Sequence, residues 1–338
     1  MKAFVVKAGS TSLTGLQLMT REKPSPGAGE ILVQMKAVSL NFRDLMIPLG
    51  RYMGGPLAAD AVALSDGTGE VVGLGEGVTR FKLGDRVAGT FFRNWIDGPP
   101  AAESRPGLGA GVDGVLAEYV AFHQNDAVGI PANLSYEEAA TLPCAGVTAW
   151  NTLLVAGKAI RPGDTVLVLG TGGVSIMALQ LARAAGARVI ATSSSDEKLA
   201  RAGKLGADTL INYKTTPEWQ EAVLKATQGL GVDCVVEVGG LGTLSRSMAS
   251  LAMGGKVCMI GFVAGPAGDA NPQQVIRSGG NLHGIFVGNR AMFEQLNKAI
   301  EVNDIHPVID RVFSFDESPA AYEYMQSQAH FGKIVIRF

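Results

Sequence analysis

At 338 residues, 47% of them apolar, the chain is long for one domain and suits two with ample core. A net charge of −2 gives no electrostatic case for nucleic acid or an anionic membrane, and no apolar run approaches the length of a membrane span. Three scattered cysteines (Cys144, Cys234, Cys258) fit a reducing compartment without a disulfide framework, so the composition describes a soluble, cytoplasmic, enzyme-like chain.

Met1–Lys7 reads as a short strand, not a signal peptide. Residues 1–125 read as mostly β, with segments such as Glu30–Val38, Gly69–Gly75 and Asp85–Gly89 separated by Gly, Pro and Asp turns. The Pro/Gly-rich stretch 92–114 predicts a long irregular loop, a kind more often functional than accidental. From about 130 to 287 strands alternate with helices, the rhythm of a parallel sheet covered on both faces. Strands are expected at 165–169, 187–192, 208–212, 232–237, 256–260 and 282–287, the six that a doubly wound dinucleotide fold uses. Helices near 290–302 and 316–328 follow, and a last strand at 333–338 is expected to complete the first domain's sheet. The fold class is therefore α/β, with a discontinuous β domain (1–126 and 288–338) around a nucleotide-binding domain (127–287).

The most informative passage is 164–185. The apolar, β-branched strand 165–169 runs into Gly170-Thr171-Gly172-Gly173-Val174 and then into a helix. Gly170 and Gly172 let the backbone turn tightly and approach a pyrophosphate, and the N–H groups that open the helix face the anion. The third position of G-x-G-x-x-G is Ser175, and an ordinary βα connection shares such a turn. Two further βα repeats, through Gly186 and 187–192 and then through 206–213, make dinucleotide binding the leading function.

A carboxylate at the end of the second strand would hold a ribose 2′-OH and repel a 2′-phosphate. Here Ser193 and Ser194 stand at that end, Lys198 follows within one helical turn, and Tyr213 ends the next strand. Hydroxyls plus an ammonium suit a phosphate dianion, so NADP(H) is expected over NAD(H). Asp196 and Glu197 lie close by, and a plain helix cap accounts for the same serines.

Several phrases carry a resemblance over essentially the whole chain: Ala37–Asp44, Asp66–Val72, Phe81–Val87, Ala139–Trp150, the Gly170–Val174 turn and Gly332–Ile336. Together they resemble the medium-chain dehydrogenase/reductase superfamily. Within it the chain is similar to the zinc-independent quinone oxidoreductase-like branch, which includes enoyl reductases and zeta-crystallin. The resemblance implies a GroES-like β domain plus a Rossmann doubly wound parallel sheet. Zinc-bearing members hold their catalytic metal with Cys, His and Cys and carry a Glu beside the His. The matching positions here are Asn41, Ser65 and Cys144, with Asp66 as the neighbouring acid. One thiolate, an amide and a hydroxyl make a poor tetrahedral site, so no catalytic metal is expected and Cys144 reads as a small buried residue.

The resemblance also implies further cofactor contacts. Thr148 matches a threonine beside the nicotinamide, and Val238, Gly239, Gly261, Phe262, Phe286 and Val287 follow strands at their carboxyl ends. Phe286 and Val287 suit plain strand-end packing equally well. Lys333 either approaches the cofactor or is an exposed turn lysine. Without a metal, a hydride acceptor needs hydrogen-bond donors at the oxygen where negative charge develops, and Asn41 is placed to donate. Tyr52 resembles a tyrosine over the substrate that donates a proton, or is an aromatic wall. Asp44 reads as organising local hydrogen bonds, and the loop with Phe91, Phe92 and Trp95 as shaping a substrate pocket. The expected activity is NADPH-dependent reduction of a quinone or an α,β-unsaturated carbonyl; the alternatives are alcohol dehydrogenase or carbonyl reductase chemistry at C=O, and non-catalytic NADPH binding. The family often pairs as a homodimer through the last strand of the Rossmann sheet, here 282–287.

Overall fold

The computed structural model describes residues 1–102, 107–263, 265, 267, 268, 270, 271 and 273–338, and every count below is of those residues. They form two units, Met1–Val147 with Gly288–Phe338, and Thr148–Val287.

In the first unit the eleven-residue strand Glu30–Leu40 is the spine, buried along most of its length. It pairs with Asp66–Leu74 on one side and with Lys333–Arg337 on the other, and Tyr119–His123 joins it near its start. The last strand therefore completes this sheet, as expected, in the register Ile334↔Leu40. Ile309–Ser314 lies parallel to it, and Lys2–Val6 forms a separate small sheet with Leu16–Thr20 and Ala61–Val62. Val33, Val38, Leu64, Leu116, Ile334 and Ile336 are among the fully buried residues of the core.

One boundary differs from expectation. Residues 127–147 belong to the first unit, because Ala127–Gly129 pairs with Arg86–Gly89 and the Arg86 guanidinium donates to the Leu134 carbonyl.

The second unit is a six-stranded parallel sheet in the order 209–212, 188–193, 165–169, 232–237, 251–259, 281–284. That is the 3-2-1-4-5-6 order of the doubly wound fold. The fifth strand begins at Leu251 rather than 256; Gly254 (φ +74°) and Gly255 break the apolar run that would have revealed it. The sixth ends at Gly284, not 287, since Val287 at φ +48° cannot continue a strand. The helices Arg290–Asn303 and Ser318–Gln326 fall close to their expected places in the first unit. None of the helices is long and apolar enough to cross a membrane.

Candidate active site

Two groups of residues carry chemistry, one in each unit. The first begins where strand Glu30–Leu40 ends. Asn41 opens the one-turn helix Phe42–Met46, and its backbone N–H donates to the Asp44 carboxylate at 2.8 Å. Across the sheet, the register that pairs Ile334 with Leu40 sets Lys333 opposite Asn41. The Lys333 ammonium donates to the Leu40 carbonyl and to Asn41 Oδ1, both at 2.6 Å. Lys333 is 5% exposed, which corrects its reading as an exposed turn lysine and groups it with Asn41. Gly332 before it has φ +78°, and a Cβ there would lie 2.4 Å from the Val308 carbonyl oxygen. The turn that delivers Lys333 therefore requires glycine.

From Asn41 the hydrogen bonds continue inward. Asn41 Nδ2 makes a long contact to Ser65 Oγ at 3.5 Å; Ser65 donates to Asp66 Oδ1 at 2.7 Å, and Asp66 Oδ2 accepts from the Cys144 backbone N–H at 2.9 Å. Leu64, just ahead, is held at φ +66° with Gly109 and Gly114 packed on its backbone, a strained residue that aims Ser65 and Asp66. Cys144 stands in a π-turn, Leu142–Gly146. Burial, with Asp66 close by, pushes its thiol far above the ordinary range. Burial likewise pushes the Asp44 carboxyl up to about 6 against the opposing pull of Arg43, and draws the Lys333 ammonium down against Asp66.

Arg43 ties this turn to the substrate-side loops expected from sequence. Nη1 donates to Asp44 Oδ1 at 3.1 Å and to the Leu108 carbonyl at 2.8 Å. Its guanidinium lies over the Tyr52 ring at 4.9 Å and over the Phe91 ring at 4.8 Å, while Nε and Nη2 meet the geometric criteria for a hydrogen bond with none of the described residues. Tyr52 is half-buried against the core and reaches the Asn41 turn through Arg43. Phe91, Phe92 and Trp95 are all buried, with Phe91 stacked edge-on to Phe92. Sequence reasoning singled out Asn41 and Tyr52 but missed the Lys333 hydrogen bond to the one and the Arg43 guanidinium over the other. The buried set Arg43, Lys333, Asp44 and Asp66 is balanced in charge, as buried ions must be.

The donor set does not fit zinc. Asn41 Oδ1 already accepts from a buried ammonium, Ser65 is a hydroxyl that donates to Asp66, and Cys144 is the one thiol beside them. No described group of three His, Cys, Asp or Glu side chains is arranged to hold a metal.

In the second unit the sequence-predicted cofactor residues other than Thr148 and Lys198, which lie in helices, gather at the carboxyl ends of parallel strands, one edge of the sheet. Gly170 (φ +70°) and Gly172 precede the helix Gly173–Ala184, whose start carries Val174, and a Cβ on either glycine would meet nothing within 4 Å. Open space in front of a turn that ends on helix N–H groups fits a pyrophosphate. Ser175, where a third glycine was the pattern, is buried and donates to the Leu169 carbonyl at 2.7 Å, locking helix to strand.

Ser193 is 3% exposed and accepts from the Ser195 N–H; Ser195 caps the next helix through the Lys198 N–H. The capping alternative is thus realised by Ser195, while Ser194 stays half-buried and Tyr213 exposed. Val238, Gly239, Gly261, Phe262, Phe286 and Val287 line the far half of the same edge, with Phe262 62% exposed and the Val287 carbonyl held by Asn151 Nδ2 at 2.8 Å. Thr148 is buried in the short helix between the two π-turns. Glu237, which sequence reasoning passed over, is fully buried and accepts from the Gly239 and Gly240 N–H groups, Thr243 and Ser247.

A chain that has a β-sheet unit of this kind and a doubly wound unit with a glycine turn at a helix N-terminus has the plan of a dinucleotide-dependent oxidoreductase. Residues 27–132 match the alcohol dehydrogenase GroES-like domain and residues 173–301 the zinc-binding dehydrogenase family. A zinc-type alcohol dehydrogenase-like protein of Schizosaccharomyces pombe is 50% identical over 315 residues, 91% of each chain. The 2-methylene-furan-3-one reductase of Solanum lycopersicum is 31% identical over 311 residues, 91% of this chain and 71% of that one. Among solved structures, an NAD-dependent alcohol dehydrogenase aligns with TM-score 0.90 at 31% identity over 100% of both chains. A mycobacterial protein complexed with NADPH aligns with TM-score 0.82 at 25% identity, also over 100% of both. The chain belongs to the medium-chain dehydrogenase/reductase superfamily.

Proposed function

We propose that this protein is an NADPH-dependent reductase of α,β-unsaturated carbonyls or quinones that works without a metal, in the manner of the quinone oxidoreductase-like branch. The observation that carries the reading is the Asn41 carboxamide, turned oxygen-first toward a buried ammonium where zinc-bearing relatives need a ligand. The reductase name of the tomato relative supports the substrate class, and the mycobacterial NADPH complex supports the cofactor.

Gly170, Gly172, Gly173 and Val174 would hold the pyrophosphate, and Ser193, Ser194, Lys198 and Tyr213 the 2′-phosphate. Thr148, Val238, Gly239, Gly261, Phe262, Phe286 and Val287 would shape the ribose and nicotinamide end. When bound, a dihydronicotinamide supplies hydride to the β-carbon of the acceptor. The π electrons then move onto the carbonyl oxygen as an enolate, where the Asn41 Nδ2–H donates to it. The α-carbon receives its proton from Tyr52 Oη, a phenol kept in place by Arg43. Arg43, Asp44 and Phe91 hold that side of the site dry and fixed. Exposed Leu282 on the edge strand Asn281–Gly284 suits pairing with a second copy, which size-exclusion mass measurement reads directly.

The test is NADPH oxidation with a panel of simple enones and quinones, then the same with NADH and with Ser194→Asp. We expect turnover with NADPH, at least tenfold weaker kcat/KM with NADH, and a reversal of that preference in Ser194→Asp. Oxidation of alcohols with no reduction of any C=C or quinone would move the reading to C=O chemistry.

A further inference from the structure

We propose that Lys333 is a positioning residue that sets Asn41 as a hydrogen-bond donor and supplies the fixed positive charge that a metal supplies in zinc-bearing relatives. The inference rests on the reaction assigned above and goes beyond it in naming what gives a bare carboxamide enough polarising power.

The two ends of an asparagine side chain are nearly the same size, so partners alone decide which faces where. An ammonium has donors only, so the atom 2.6 Å from Lys333 Nζ is the oxygen, and the NH2 points the other way. Lys333 cannot swing aside to accept the reverse arrangement: it also donates to the Leu40 carbonyl at 2.6 Å, and its strand is fixed in register against Glu30–Leu40. On the far side Ser65 spends its proton on Asp66, which leaves Ser65 Oγ an acceptor for Asn41. Every hydrogen bond therefore runs one way, from Lys333 through Asn41 and Ser65 to Asp66.

The Asn41 contact to Ser65, at 3.5 Å, is at the limit of a hydrogen bond and engages one of the two Nδ2 hydrogens. The other has no partner among the described residues, and Asn41 keeps accessible surface. A donor polarised from behind by a buried cation, and left open in front, is built for an oxygen that becomes negative. The carboxylates of Asp66 and Asp44 oppose the burial that draws this ammonium down, and among the described residues neither is hydrogen-bonded to it.

The test uses Lys333→Met, which keeps length and removes charge, with Lys333→Arg as the conservative variant. We expect Lys333→Met to lower kcat on the order of a hundredfold while the NADPH dissociation constant, read by fluorescence titration, stays unchanged, and Lys333→Arg to recover part of the loss. A second readout needs no turnover: phenols of graded acidity serve as oxyanion mimics, and absorbance reports their ionised fraction. The natural protein should favour the phenolate, lowering the probe's apparent pKa by about one unit, and Lys333→Met should lose that preference. Unchanged kcat, or a phenolate preference that survives in Lys333→Met or never exists, overturns the proposal. If Lys333→Met does not fold, Asn41→Leu is read the same way: loss of the preference supports the carboxamide as donor, and its persistence overturns it. A Lys333-dependent phenolate preference in a protein that reduces no enone or quinone would count against the assigned reaction alone.

Discussion

Replacing Glu237 tests whether one buried carboxyl group holds the Val238–Gly240 turn. It ends the strand Val232–Glu237 with no accessible surface, and its Oε1 accepts from the Gly239 N–H at 2.7 Å, the Gly240 N–H at 3.0 Å and Thr243 Oγ1 at 2.6 Å. Ser247 donates a short bond to Oε2. In Glu237→Ala the Thr243 hydroxyl has an alternative in the Gly240 carbonyl at 3.2 Å, but the two glycine N–H groups have none. Each buried donor left unsatisfied costs about 1–3 kcal/mol, so those two alone predict a loss of about 2–6 kcal/mol before any cavity cost. Glu237→Gln keeps one oxygen for the glycines and turns its NH2 to Ser247, which accepts; the expected loss is about 1–2 kcal/mol.

The same turn should report through the cofactor. Gly240 sits at φ +84° with Gly261 and Phe262 packed where its Cβ would be, so its displacement reshapes the strand ends that the proposed nicotinamide site uses. We expect Glu237→Ala to weaken NADPH at least tenfold, about 1.4 kcal/mol, and Glu237→Gln to weaken it less. Urea unfolding and fluorescence titration measure the two effects. An alanine variant within about 1 kcal/mol of the natural protein would refute the reasoning, because it would mean that water reaches the freed N–H groups.

Two further outcomes follow from the charge environment. Burial raises the pKa of the Cys144 thiol, so iodoacetamide should leave it unmodified in the folded protein even at pH values that ionise a free thiol, while unfolding exposes it to ordinary alkylation. Peptide mass spectrometry reads this, and alkylation of the folded protein at the free-thiol rate would contradict it. His306 Nδ1 lies 2.7 Å from Glu138, which raises the histidine and, with Ser135, lowers the carboxyl. A raised histidine stabilises below its unfolded pKa and stops as pH climbs through its folded one; a lowered carboxyl stabilises above its unfolded pKa and stops as pH falls through its folded one. The pair thus acts between about pH 4.3 and 6.5, and His306→Gln should lower the unfolding midpoint at about pH 5.5 but not at about pH 8.5. Equal shifts at both would sink this reading.

What the chain discloses about itself depends on how far apart the partners lie. The strands 165–169 and 232–237 are legible because each carries a short apolar run, Val166–Leu169 and Cys234–Val236, and a run needs no knowledge of its neighbours. Strand 251–259 is half hidden because Gly254 and Gly255 interrupt its pattern while the backbone pairs on regardless. Glu237 was readable in principle: an acid ending an apolar strand just before Val-Gly-Gly has its four donors within ten residues, so local spacing alone marks it as a turn anchor. Lys333 was not. A lysine after a glycine near a chain end has the form of a solvated turn, and nothing within its own strand says otherwise. Its partner stands 292 residues away, and only the pairing of Ile334 with Leu40 brings the two together. Lys256 repeats the case, its ammonium buried on the Thr152 and Ala156 carbonyls about a hundred residues earlier. Charged side chains that act across a sheet are therefore the part of a site that residue type misassigns most readily. In this protein they include Lys333, the cation bonded to Asn41 Oδ1.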